Sequence, residues 1–320
     1  MTSPNPSPWT WTPSAPRWLD RPVSLLPFTG PDALRVLHGQ TSQSLLEARP
    51  GDWRSTCCLS PTARLRGLAE VLVDDQGAWL AITAGDGAAL RLAFDRVLFP
   101  ADQVELGPQT PGRWLRPLAA EAAPAGPGAW RPLDGGGGWW LDGHLLLLEG
   151  TPPPPQLASL SPPSAEEAEF WRLYQGEPAW PQEINDAFNP FELGLADRVS
   201  LTKGCYVGQE TLAKLASGDG VKQQLRRWHR EPHQGTEPPM EVGMALQTGE
   251  GTRAGQVTSR LRLADGAWVG LAMVRRQALE SSTLWAAAGD ALVPVSLSRP
   301  AAFRDPPSSP SGPGRRVGLP

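Results

Sequence analysis

The chain has 320 residues, 29 Lys plus Arg against 33 Asp plus Glu, a formal net charge of -4 and 40% hydrophobic residues. That length buries a core in two to three domains without disulfides or metals, and the acidic balance gives no bulk attraction to nucleic acid or anionic membrane. Three cysteines, Cys57 and Cys58 among them adjacent, make no disulfide framework, no stretch approaches eighteen apolar residues, and the start MTSPNPSPWTWTPSAPR lacks a basic-then-apolar leader, so a cytoplasmic protein with no membrane partner is expected.

In chain order, residues 1–17 are rich in Pro, Ser and Thr and are expected to be disordered, with Trp9 and Trp11 in an uncommitted tail; 304–320 read the same way. Val23 to Phe28 reads as a strand, and Thr29-Gly30-Pro31-Asp32 turns into the helix DALRVLHG, with Thr29 or Gly30 as the candidate cap and Pro31 at the first helical position. TCCLS, GLAEVLV and AWLAIT read as strands, the last two joined by a hairpin at Asp74 to Gly77. DGAALRLAFDRVLFP reads as a helix with Leu90, Ala93, Phe94 and Val97 on one face, and a closing strand follows around Gln103 to Leu106.

Trp114 to Leu118 and the hairpin WWLDGHLLLLEG supply further strands, and AEEAEFWRLYQGE supplies a helix capped by Ser164. From Val221 onward, short strands with Gly punctuation indicate a small antiparallel barrel or sandwich. The order predicts an α+β protein with a first unit over 18–112, a second over 113–220 and the all-β part over 221–303.

Most familiar chemistries are absent. There is no C-x-x-C pair, His38, His144, His229 and His233 are scattered, and Gly135 to Gly138 is a plain glycine run, so neither a metal site nor a phosphate cradle is expected. The stretch that stands out is LTKGCYVGQETL. The only three lysines, Lys203, Lys214 and Lys222, fall within twenty residues there, in a chain that otherwise uses Arg. Gly204 and Gly208 allow tight geometry around Cys205, and GQETLAKLAS reads as a helix with Glu210 four residues before Lys214. A cysteine just before a helix N-terminus and near a lysine is in surroundings that favour a thiolate. Upstream, Trp180, Gln182, Glu183 and Asn185 offer groups suited to a flat heteroaromatic ring, with Trp171 and Tyr174 as stacking faces.

KGCYVGQE, with RLYQGEPAWPQEIN before it and a helix and basic strand after it, resembles the signature of the YgfZ-type folate-binding proteins. These are relatives of the glycine-cleavage T protein and of the mitochondrial factor that helps mature iron-sulfur proteins. LPFTGPDALRVLHGQ, CCLSPTARLRGLAEVLV, AGQVTSR and GLAMVRR extend the resemblance over about 280 residues. It implies two ferredoxin-like α+β units and a C-terminal antiparallel β-barrel around a central hole that accepts tetrahydrofolate. It implies a folate-dependent role in assembly or repair of iron-sulfur clusters in client enzymes, with indirect support of tRNA modification, and it leaves room for a transient cluster. Cys205 matches the motif cysteine, with Lys203 beside it, and Tyr206, Gly208, Gln209 and Glu210 match the rest.

The alternative is an aminomethyltransferase-like enzyme that moves a one-carbon unit on folate. In the hairpin after Pro61, where those transferases place an acid, this chain has Arg66-Gly67-Leu68, which argues against that chemistry. Direct tRNA binding would need a basic face, and Lys203 to Lys222 with Arg226, Arg227 and Arg230 is the candidate.

Overall fold

The computed structural model describes residues 7–10, 13, 15–118, 128–158, 160–218, 220–232, 238–288 and 291–306. Trp11, His233 and the tail beyond 306 lie outside the described residues. In chain order the elements are β1 (Arg17–Thr29), α1 (Ala33–Gln40), β2 (Trp53–Leu59), β3 (Leu65–Asp74), β4 (Gly77–Gly85), α2 (Gly87–Asp95), β5 (Glu105–Leu106) and β6 (Thr110–Leu118). Then come β7 (Trp130–Pro132), β8 (Gly138–Leu141), β9 (His144–Leu148), α3 (Pro155–Ala158), α4 (Ala165–Gln175) and α5 (Gln209–Ser217). Six strands finish the chain: β10 (Gln223–Arg230), β11 (Ala245–Gln247), β12 (Arg253–Arg262), β13 (Trp268–Arg275), β14 (Thr283–Ala288) and β15 (Ala291–Ser298).

One nine-stranded sheet runs β2-β3-β4-β1-β6-β9-β8-β7, with β5 paired to β1, so the strands of both α+β units are continuous through the β1–β6 ladder. The strand expected over 23–28 is the middle of β1, which runs 13 residues and has both faces covered. Leu26 and Phe28 point into a core with α1 and α2, where Leu37, Leu90 and Phe94 meet Val71 and Leu80, while Val23 and Leu25 point to the opposite face with Leu72, Trp114 and Leu146. A strand covered on both sides loses its polar alternation, which is why its sequence reads as an apolar run.

The expected hairpin pairs Asp74 with Gly77. Ser164 caps α4 in a full capping box with Glu167. Capping of α1 differs from expectation. Its N-cap is Asp32, not Thr29 or Gly30, and the Asp32 side chain accepts from Gln103 N–H at 2.8 Å, so it ties the loop before β5 rather than closing the helix end. On α2, Leu90 and Phe94 are buried, whereas Val97 lies past the helix end and is exposed.

The last six strands close into a barrel, β10-β13-β12-β11-β14-β15, around Trp228, Leu246, Val257, Val274 and Val295. Trp228 is fully buried, and its indole N–H donates to Leu271 O at 3.0 Å, so the ring brings no unsatisfied polar atom into the core. The outer face of β10 and β13, through Leu225, Leu271 and Met273, packs with Phe170 and Leu173 of α4 and with Phe191. Trp9 joins this core: it is buried, its ring centroid lies 5.6 Å from Phe170, and the Arg227 guanidinium stacks on it at 4.7 Å. An indole removes enough apolar surface from water to anchor a short turn that its Pro- and Ser-rich neighbours would not.

Candidate functional site

Two places combine polar chemistry with access. The first is a cleft of about 280 Å³ between the sheet, the 176–198 connection and the chain near Phe303. Its floor follows from strand register. Ser55 on β2 stands opposite Glu70 on β3, and Glu70 is the carboxylate in the otherwise apolar run GLAEVLV. Glu70 is 2% exposed and accepts from Ser55 Oγ at 2.6 Å, Trp53 Nε1 at 2.8 Å and Arg198 Nη2 at 2.9 Å. Three donors, one of them cationic, thus compensate the burial of this carboxylate.

A second ion cluster forms the wall. Glu177 accepts from Arg21 Nη1 at 3.0 Å and from Arg116 Nη1. Burial draws the Arg116 guanidinium down to about 10, with repulsion from Arg21 and Arg198 adding to it, and burial lowers His144 below its usual range. Asp142 O lies 2.7 Å from His144 Nδ1, which places the ring proton there and leaves Nε2 as an acceptor. The imidazole packs between Trp114 at 5.0 Å and Trp53 at 6.0 Å. The cleft adjoins a wider groove of about 740 Å³, the two sharing Arg21, Thr83, Ala84 and Pro178. Indole faces, guanidinium groups and an imidazole acceptor suit a ligand with a flat heteroaromatic ring and carboxylates.

The second place is the KGCYVGQE turn. Cys205 is exposed, whereas Cys57 and Cys58 are buried, their thiols pushed up to about 12 by burial. Lys203 is buried and donates to the carbonyls of His38, Thr41 and Gln43 at 2.5, 2.7 and 2.7 Å, with its ammonium 4.5 Å from the Tyr206 ring centre. All three ammonium protons are thus spent on the end of α1 and the loop after it, and Lys203 pins the turn to them. Val207 N–H adds a bond to Gly39 O at 3.0 Å, and Gln209 Nε2 one to Lys203 O at 3.3 Å. Gly208, the N-cap of α5, has φ +83, and a Cβ there would stand 2.9 Å from Ala63 Cα. Its smallness serves the approach of two backbones. Glu210 and Lys214 form the expected i,i+4 pair at 2.6 Å, in solvent.

The upstream residues scatter. Trp180 is 51% exposed and lines the wider groove, and with Asn185 it also lines a pocket of about 290 Å³ beside Arg66 and Asp186. Gln182 is exposed, its carbonyl accepting from Asn185 Nδ2 at 3.0 Å. Glu183 is fully buried, accepting from Ser259 Oγ at 2.7 Å and Ala179 N–H at 3.0 Å, with Arg172 at 3.5 Å, and so it joins the loop to the barrel. Tyr174 stacks on Trp171 at 5.4 Å, with Arg227 5.1 Å from its ring. None of the residues singled out from sequence lines the central cleft. Its own residues Arg21, Glu70, Arg116, Glu177 and Arg198 were missed, and His144 stood in the sequence only as one of four scattered histidines; for Glu70, a single charge inside an apolar strand was the available signal.

The candidate basic face dissolves. Arg226 and Arg230 are buried, Arg226 stacked at 5.5 Å on Phe303 and Arg230 bonded to Pro238 O at 3.0 Å, while Arg227 lies between Trp9 and Tyr174. Among the described residues no three His, Cys, Asp or Glu side chains gather as a metal-binding set, and with Cys57 and Cys58 buried a resident iron-sulfur cluster does not fit this donor set. No helix among the described residues is long and apolar enough to cross a membrane.

No protein-family model matches the chain. A protein of Arabidopsis thaliana described as "Putative transferase At1g60990, chloroplastic" is 27% identical over 278 residues, covering 78% of this chain; the chain spans 63% of that relative's length. The crystal structure of the glycine cleavage system aminomethyltransferase T from Bartonella henselae superposes with a TM-score of 0.69 at 17% identity, covering 92% of this chain and 88% of that one. The chain therefore has the aminomethyltransferase T fold, a curled antiparallel sheet joined to a closed six-stranded barrel.

Proposed function

We propose that the protein binds tetrahydrofolate in the central cleft and acts in the cytoplasm as an accessory factor for assembly or repair of iron-sulfur clusters in client enzymes, indirectly supporting tRNA modification. The observation that carries the reading is the composition of the cleft. Trp53, Trp114 and His144 offer flat surfaces for a pterin and an aminobenzoyl ring, and Arg21, Arg116 and Arg198 offer cations for its glutamate. Bound there, tetrahydrofolate supplies a reduced pterin able to carry a one-carbon unit. The cluster is cargo in this reading, and Cys205 is the accessible thiol that handles it. The 180–185 loop, through Trp180, forms the mouth of the wider groove, and the other motif residues hold the Cys205 turn in shape.

The alternative, aminomethyl transfer on folate, is favoured by the two similar proteins, one named a transferase and the other an aminomethyltransferase. Against it, the carboxylates of the cleft are committed: both oxygens of Glu70 and of Glu177 already accept hydrogen bonds from guanidinium, hydroxyl or indole donors, which leaves neither placed to take a proton from a bound amine. Calorimetric titration tests the first reading. Tetrahydrofolate is expected to bind the wild-type chain and to lose about tenfold in affinity in Arg116→Gln, the loss of roughly one charge-assisted hydrogen bond. A titration without heat at several temperatures would overturn folate binding. Turnover of tetrahydrofolate with an aminomethyl donor would replace the accessory role by the enzymatic one, and full iron-sulfur enzyme activity in cells carrying only Cys205→Ser would remove the thiol.

A further inference from the structure

The Cys205 turn holds more hydrogen-bond donors than its own contacts consume. His38, in the last turn of α1, is 7% exposed. Leu45 N–H donates to its Nδ1 at 3.1 Å, so the ring proton sits on Nε2, and Nε2 is buried with no acceptor. Burial and the nearby Lys203 ammonium hold the imidazole below its usual range, in the neutral form with this single N–H. An orphan buried donor bears the desolvation penalty of an unmade hydrogen bond, and natural proteins tolerate few of them.

Nε2 faces the turn. It is the one atom within 4 Å of the point where a Cβ on Gly204 would stand, at 3.9 Å. Gly204 itself is exposed and adjoins exposed Cys205. Among the described residues, the backbone N–H groups of Gly204, Cys205 and Tyr206 donate to no carbonyl or side chain. After Val207 and Gly208, α5 begins without a side-chain cap, its Gln209 N–H already donating to Tyr206 O at 3.1 Å. The carboxylate of its first turn, Glu210, is exposed and engaged by Lys214.

We propose that this turn is an oxyanion site, in which His38 Nε2–H and the N–H groups of Gly204, Cys205 and Tyr206 receive the carboxylate or oxyanion of a small reactant beside the Cys205 thiol. Its biological use rests on Cys205 being the working thiol; the site itself is tested independently of folate.

The experiment compares alkylation of Cys205 in the full chain by iodoacetate, which carries a carboxylate, and by neutral iodoacetamide, read by peptide mass mapping. Each reaction forms an Sγ–C bond, releases iodide and gives the thiol proton to buffer. Relative to Cys205 in the urea-unfolded chain, the iodoacetate-to-iodoacetamide rate ratio is expected to rise about tenfold, the worth of one hydrogen bond to a charged group. Gly204→Ala puts a methyl into the space before His38 at an ordinary contact distance. It is expected to return the ratio to that of the unfolded chain with an unchanged thermal midpoint, and His38→Leu should do the same. Sodium sulfate that slows iodoacetate but not iodoacetamide identifies a site for free inorganic oxyanions, and a ratio that survives sulfate identifies one for a reactant's carboxylate; both support the proposal. A wild-type ratio equal to that of the unfolded chain, or one that Gly204→Ala leaves elevated, overturns it. If His38→Leu does not fold, Gly204→Ala decides. Calorimetry of Gly204→Ala with tetrahydrofolate keeps the two readings apart, because the cleft contains none of these groups.

Discussion

The central cleft and the Cys205 turn treat buried polar groups in opposite ways. In the cleft, Glu70 gathers three donors and Glu177 two guanidinium groups, and the imidazole of His144 is fixed by Asp142 and flanked by indoles. At the turn, Lys203 is saturated while His38 Nε2 and the Tyr206 hydroxyl are buried without partners. A closed network of ions gives a rigid surface of fixed charge, suited to recognising a ligand's shape. A turn with spare donors keeps capacity for a group that is not yet there.

The sharpest way to break this contrast is to open the closed network. Glu70→Ala leaves the Arg198 guanidinium without its carboxylate and is expected to cost about 3–5 kcal/mol in urea unfolding, the penalty of a half-removed buried pair. A loss under about 1 kcal/mol would show that water reaches Arg198 and that the cleft is not a closed network.

The turn's rigidity is tested next by Gly208→Ala. With φ +83 and the Ala63 backbone 2.9 Å from the new methyl, a loss of about 2–3 kcal/mol is expected from left-handed strain and overpacking together. A neutral substitution would mean that the approach of the turn to Ala63 is not maintained in solution.

The smallest effect is a slope. Burial lowers the Lys203 ammonium from 10.5 to about 7. Between those values the unfolded chain holds a proton that the folded chain has released, so stability rises with pH across that window. The stability of the wild type relative to Lys203→Met is therefore expected to climb from pH 7 to about pH 10 in urea titrations. A flat difference would show that the three carbonyls and the Tyr206 ring keep the ammonium charged.

Much of the fold was legible because it is locally encoded. The β3–β4 hairpin, the Ser164 capping box, the span of α5 and the closely spaced strands of the barrel follow from turn residues, caps and periodicity within about a dozen residues. The motif turn was visible through its lysine, cysteine and glycines. Trp9 misled because composition describes a segment's solubility and not the niche that Phe170 and Arg227 provide for one indole.

The amino-acid sequence by itself determined the elements, the all-β C-terminal part and the exceptional character of KGCYVGQE, since these rest on neighbours along the chain. The tertiary structure alone decided where binding chemistry is concentrated. Glu70 means little inside GLAEVLV until β-sheet register sets it against Ser55 and the 176–198 connection brings Arg198 to it, 128 residues away. The same holds for the turn: His38 and Gly204 meet because Lys203 reaches back to three carbonyls at the end of α1 and in the loop beyond it. Long-range pairing of this kind leaves no period or spacing in the sequence, because the partners are chosen by the folded surface and not by the chain between them.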